Sequence, residues 1–214
     1  YQCQLNELPQ LDTSNVKDTT SMFDGCKNLT TIPQIDTSNV TRMNQMFYHC
    51  TNLPTIPQID TSKVTSMTYM FGYCSNLPTI PQIDTSSLSN MAYMFYNCTN
   101  LTTIPQLNGE NIRILFEAFY GCKSLENFNG IINLGQAYQK SQSANYNDYK
   151  LVLTSSTLLT EQSIINILNN LYDIKTKGCN TQTVTLGATN LAKLTSTEGQ
   201  QALASAQSKG WNIN

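Results

Sequence analysis

The chain has 214 residues, a formal charge of −2 and only 12 % charged residues, about half the usual share. Its 12 Lys and Arg are scattered, which excludes the basic stripe of a nucleic-acid binder and the polybasic patch of a membrane-surface binder. No apolar run approaches the roughly 18 residues of a membrane-spanning helix, yet 40 % of the residues are hydrophobic, enough for a sizeable core.

The first residues, Tyr1-Gln2-Cys3, show neither an initiator Met nor a signal peptide. They resemble Tyr48-His49-Cys50, so the chain is expected to begin inside an array and to be part of a longer protein. Self-comparison then decides the organisation. Pro9, Pro33, Pro57, Pro81 and Pro105 follow one another at steps of 24 residues, as do Cys26, Cys50, Cys74, Cys98 and Cys122, and Phe23, Phe47, Phe71, Phe95 and Phe119.

Each unit has two halves. The first, as in Leu53-Pro54-Thr55-Ile56-Pro57-Gln58-Ile59, is too short and too rich in Pro for a helix and reads as a brief strand that bends near Pro57. The spacing of Leu53, Ile56 and Ile59 leaves open which of Thr55, Pro57 and Gln58 faces outward. The second half places Val40, Met43, Met46, Phe47 and Cys50 within an arc of roughly 120° on a helix, after an Asp-Thr-Ser able to cap free N–H groups. One 24-residue unit cannot bury its own apolar face; stacking on neighbours does so. The fold expected is α/β: a leucine-rich-repeat solenoid, with a short parallel sheet on one face, helices on the other, and C-terminal capping units.

The array is expected over residues 1–129, with its repeat weakening at Leu107-Asn108-Gly109-Glu110. A polar loop follows over 130–150, tyrosine-bearing from Gln136 to Tyr149. Degenerate repeats and a cap occupy 151–214. There Leu151-Val152-Leu153 and Thr183-Val184-Thr185-Leu186 read as strands, and Thr160 as the cap of a helix with Ile164, Ile165, Ile167, Leu168 and Leu171 on its apolar side. Thr195-Ser196-Thr197-Glu198 reads as a capping box, Gly210 as a helix stop, and Trp211, the only tryptophan, as the lid over the last apolar face.

The unit Leu-x-x-Ile-Pro-Gln-Ile-Asp-Thr-Ser-x-Val-Thr-x-Met-x-x-Met-Phe-x-x-Cys resembles the BspA-like leucine-rich repeats of bacterial surface proteins. Similar repeats occur in mycoplasma surface lipoproteins and phage tail-associated proteins. The resemblance covers residues 1 to about 128 and continues loosely through 158–172 and 184–194. It implies a surface location and a role in adhesion.

Other candidates for chemistry have bland readings. The cysteine ladder reads as buried thiols, because stacked equivalents point the same way. Cys179 lies outside that ladder, and the absence of a C-x-x-C pair argues against zinc. Asp12, Asp36, Asp60 and Asp84 read as turn and cap residues rather than a cation stripe. His49, the only histidine, has no orienting carboxylate in view. The chain is therefore expected to be no enzyme, to hold no metal and to need no cofactor. Two sets of residues remain as ligand-binding candidates. Thr31, Thr55, Thr79 and Thr103 with Gln34, Gln58, Gln82 and Gln106 form ladders on or near the sheet. Tyr48, Tyr69, Tyr93, Tyr96 and Tyr120 form a convex stripe suited to contact surfaces. The expected function is a non-enzymatic binding or adhesion module of a larger cell-surface or virion protein, its partner a host or neighbouring surface protein or a glycan, with no nucleic acid and no membrane insertion. The alternative is a structural spacer or self-associating lattice subunit without a ligand.

Overall fold

The structure, a computed structural model, describes residues 8–137, 150–179 and 181–214. The first residues of the chain and most of the tyrosine-bearing loop, 138–149, lie outside the described residues, so the expectations placed there are not addressed.

From Asp18 to Ile132 the backbone pairs with itself at steps of 24 residues. Parallel bridges join Asp18 to Arg42, Arg42 to Ser66, Ser66 to Asn90, and Asn90 to Ile114. Phe23, Phe47, Phe71, Phe95 and Phe119 form one column, with neighbouring ring centroids 5.6 to 5.7 Å apart. Six of the seven methionines, from Met43 to Met94, are fully buried around it, as are Cys50, Cys74, Cys98 and Cys122. Equivalent side chains thus fill one continuous interior, each coil covering the apolar face of the last.

The helices expected in the second halves are turns. Along coil 41–50 the N–H groups alternate in their partners: those of Met43, Gln45, Phe47 and His49 donate to Ser66, Thr68, Met70 and Gly72 of the next coil, and those of Met46, Tyr48 and Cys50 donate three residues back within the coil. Gln45 and His49 have φ of 55° and 57°, incompatible with a right-handed helix. The same positions one and two coils on, Tyr69, Tyr73, Tyr93 and Asn97, repeat the positive φ. Left-handed backbone costs roughly 1–2 kcal/mol at each non-glycine residue; the inter-coil hydrogen bonds it permits offset that cost.

The first halves are extended, with Leu53, Ile56 and Ile59 all buried while Thr55 and Gln58 are exposed. Regular ladders appear only late. β1 (Thr103–Ile104) pairs in parallel with β3 (Asn127–Phe128), and β2 (Leu107–Asn108) with β4 (Ile131–Ile132). β4 therefore lies inside the stretch expected to be polar loop and extends the array. In earlier coils side chains replace the ladder. Thr37 Oγ1 donates to Asp60 O at 2.9 Å and accepts from Asp60 N at 2.8 Å. Thr61 does the same for Asp84, and Thr85 for Asn108. Gln34, Gln58 and Gln82 each send their amide nitrogen to the carbonyl of the equivalent Gln one coil on, at 2.7 to 2.9 Å. These bonds join coils beside prolines that have no N–H to give.

The C-terminal part continues the stack. Ser163 Oγ donates to Glu126 O and accepts from Phe128 N, docking α1 (Glu161–Asn169) onto β3. Thr160 caps α1 through Ser163 N, as the sequence predicts. β5 (Leu151–Val152), β6 (Gln182–Thr185) and β7 (Trp211–Ile213) form a parallel sheet in that order. Between them lie the short α2 (Ala188–Leu191) and α3 (Thr197–Ser208). The cap of α3 is Ser196 rather than Thr195, and the carboxylate serving it is Glu161 of α1, which accepts from Ser196 N at 2.9 Å. Gly210, at φ 97°, ends α3. Trp211 is 3 % exposed, donates to Tyr172 O at 2.8 Å, and lies so close to Gly135 that a Cβ there would sit 2.8 Å from the indole.

Candidate binding surfaces

The turns of the second halves hold their outward side chains in columns. Tyr69 stacks on Tyr93 with centroids 4.3 Å apart and planes 4° from parallel, and Tyr96 stacks on Tyr120 at 5.1 Å. Tyr48 meets Tyr69 and Tyr73 edge-on. All five candidate tyrosines thus join one aromatic field, completed by three residues outside the sequence-based set: Tyr73, His49 stacked on it at 4.5 Å, and Phe116 against Tyr93. Tyr73 escaped the reading because its column otherwise holds Gly25, His49, Asn97 and Gly121, with no aromatic period to detect.

Gly72 makes the field continuous. It occupies the column of Tyr48 and Tyr96, and a Cβ there would come within 2.9 Å of the Tyr48 ring. The missing side chain is the notch into which Tyr48 leans. Most of the rings are half-buried, and Tyr120, at 47 % exposure, is the most open. Burial and neighbouring rings push the Tyr69 phenol up to about 12 and raise those of Tyr48 and Tyr96, while burial and the charge of Glu117 raise that of Tyr93. Burial lowers the pKa of His49, favouring its neutral form. The field is therefore a neutral array of ring edges and hydroxyls, ordered before any partner arrives.

The second surface is an open groove crossing the coils. One stretch, of about 850 Å³, is lined by Gln58, Asp60, Gln82, Asp84 and Gln106 among others. A further stretch of about 470 Å³ shares Asp60 and carries it on through Asp36, Gln34 and Asp12. Of the two ladders in the sequence-based set, only the Gln ladder lines it; Thr31, Thr55, Thr79 and Thr103 are outside its lining. The four aspartates each accept from the backbone N of the serine two residues on, at 2.8 to 3.1 Å. Hydrogen bonds from Ser14 hold Asp12 below the usual carboxylate range, and those from Ser38 and Ser62 do so for Asp36 and Asp60.

The cysteine ladder faces neither surface. Cys50, Cys74, Cys98 and Cys122 are reduced and buried, each thiol donating to the carbonyl of the phenylalanine 27 residues before it at 2.9 to 3.1 Å. Desolvation pushes Cys50 and Cys122 up to about 12 and the two between them well above their ordinary value. Cys26 departs from the expectation for the ladder: it is disulfide-bonded. Among the described residues no group of three or more His, Cys, Asp or Glu is placed to hold a metal ion, and no helix is long and apolar enough to cross a membrane.

No curated protein and no solved structure matches the chain significantly. A family described as Mycoplasma protein of unknown function, DUF285, matches it over residues 2–101 and again over 50–149. The two matches overlap, as the 24-residue period of the coils leads one to expect, and together they span most of the chain. The chain belongs to the DUF285 family.

Proposed function

We propose that the stacked coils are a leucine-rich-repeat solenoid of the BspA-like kind, and that the chain is a non-enzymatic binding module of a larger cell-surface or virion protein. It recognises a host or neighbouring surface protein, or a glycan, through the aromatic field. The observation that carries this reading is the field itself. Tyr48, Tyr69, Tyr73, Tyr93, Tyr96 and Tyr120 are locked against one another on the solvent side of a charge-poor array. Tyrosine gives a large amphipathic contact area with few rotatable bonds, so ordered rings lose little entropy on binding. The inward side of the same turns already supplies the core, so the outer rings are not needed to close it.

The test compares the chain with its Tyr69→Ser/Tyr93→Ser/Tyr96→Ser variant on a glycan array and in capture of extracted surface proteins. The native chain captures a ligand in one format, and the variant, folded by circular dichroism, loses it. Failure of the native chain in both formats contradicts the reading, as does retention by the variant.

A further inference from the structure

The groove crossing the coils differs in chemistry from the aromatic field, and its donors and acceptors can be counted. In Gln34, Gln58 and Gln82 the amide nitrogen donates twice, to the next coil's carbonyl and to the carbonyl of the following isoleucine. Each of these side chains therefore offers the groove only its Oε1. In each aspartate Oδ1 serves the following serine, and Oδ2 accepts no hydrogen bond from the described residues. The groove thus presents two parallel rows of acceptors, one of them anionic, repeated once per coil over four coils. The nearby ammonium of Lys63 donates to Asn39 Oδ1 and also attracts Asp60 through its charge.

A second feature marks the groove at its first coil. Thr13 occupies the position of the bridging Thr37, Thr61 and Thr85, and lines the groove between Asp12 and Asp36. It is 4 % exposed, and its hydroxyl has no hydrogen-bond partner among the described residues. A buried hydroxyl left unpaired is costly, and a polar group of a ligand seated there would restore its missing hydrogen bond.

We propose that this groove is a binding site for an extended basic peptide segment, its lysine or arginine side chains donating to the aspartates and its backbone N–H groups to the glutamine Oε1 row. An extended chain lying across the coils exposes donors along its whole length, and many exposed pairs of modest strength sum when they are held in one ligand. The site is separate from the aromatic field and does not depend on what that field binds.

The experiment measures binding of a fluorescent oligolysine peptide, long enough to span four coils, by anisotropy at low salt. The key variant is Asp36→Asn/Asp60→Asn, which keeps an Oδ1 to accept from Ser38 and Ser62 and so keeps the turns. A control of equal charge change, Asp173→Asn/Glu198→Gln, lies outside the groove. The proposal expects saturable binding that weakens with salt, about tenfold weaker in the groove variant, and unchanged in both the control and the tyrosine variant above. No binding by the native chain overturns it. So do equal losses in the two charge variants, which would mean unspecific attraction, and equal binding of a neutral oligosaccharide, which would mean a hydroxyl-donor site.

Discussion

At the scale of single residues, the clearest division is between polar groups that join coils and polar groups that meet solvent. Thr61 belongs to the first. Its hydroxyl both gives to and takes from the backbone of Asp84 while only 1 % exposed. Thr61→Val keeps the shape and leaves two backbone groups short of a partner, so it is expected to cost about 1–3 kcal/mol in urea unfolding. A loss below a few tenths would mean that the bridge is incidental. The buried thiols give a pH signature. In the unfolded chain a thiol ionises near its ordinary 9.0, but Cys50 and Cys122 do so only at about 12 in the fold. A folded-state pKa raised above the unfolded one means that stability is flat below about pH 9 and falls as pH rises toward 12. Tyr69 adds to the same slope, its phenol moving from 10.0 to about 12. Cys74→Ala should make the decline between pH 9 and 11 shallower; an unchanged slope would show that the ladder is not the cause.

At the scale of elements, the sequence identified the repeat, its phase and its buried positions, and misread the backbone between them. Val40, Met43, Met46, Phe47 and Cys50 recur at three- and four-residue steps, and those steps suit a helix. They also suit successive tight turns that return each inward side chain to the same face. What separates the two is the residue at the left-handed positions. The column of His49 also holds Gly25, Asn97 and Gly121, types that accept positive φ readily, so the sign was present but diluted by tyrosine and histidine. A substitution distinguishes the alternatives. Gln45 has φ of 55°, so Gln45→Gly should relieve strain and stabilise the chain by up to about 1 kcal/mol; in a helix the same change would destabilise it by a similar amount. Thermal unfolding of the variant reads the sign directly. In the C-terminal part the helical signals are local and plain. The apolar face and Thr160 cap of α1 were legible because they are local. The Glu161 carboxylate that caps α3 was not, because it comes from 35 residues away.

At the scale of the whole molecule, the repeat separates two jobs. The inward columns of Phe, Met and Cys are nearly invariant from coil to coil, because each must fit the one above and below it. The outward columns vary: Asp24, Tyr48, Gly72, Tyr96 and Tyr120 share one position, and only part of that column is aromatic. The five tyrosines chosen from sequence fall together in space. The Gln row chosen from sequence lines the groove, but the Asp row beside it was assigned only to turns, since nothing local distinguishes an acceptor that caps with one oxygen from one that also offers the other. Both surfaces depend on the coils being stacked in register, and so do the readings of binding built on them.

Register can be tested by removing chain. Deleting residues 53–76 takes out one whole period and joins Asn52 to Leu77, restoring the same neighbours to every column. Deleting 53–64 removes half a period and sets inward positions against outward ones. Urea unfolding of both variants is the direct measurement. Stacking predicts that the first variant unfolds in one cooperative transition with a smaller m-value, in keeping with its smaller buried surface, and that the second has no such transition. Loss of cooperative folding in the first, or equal folding of both, would contradict it.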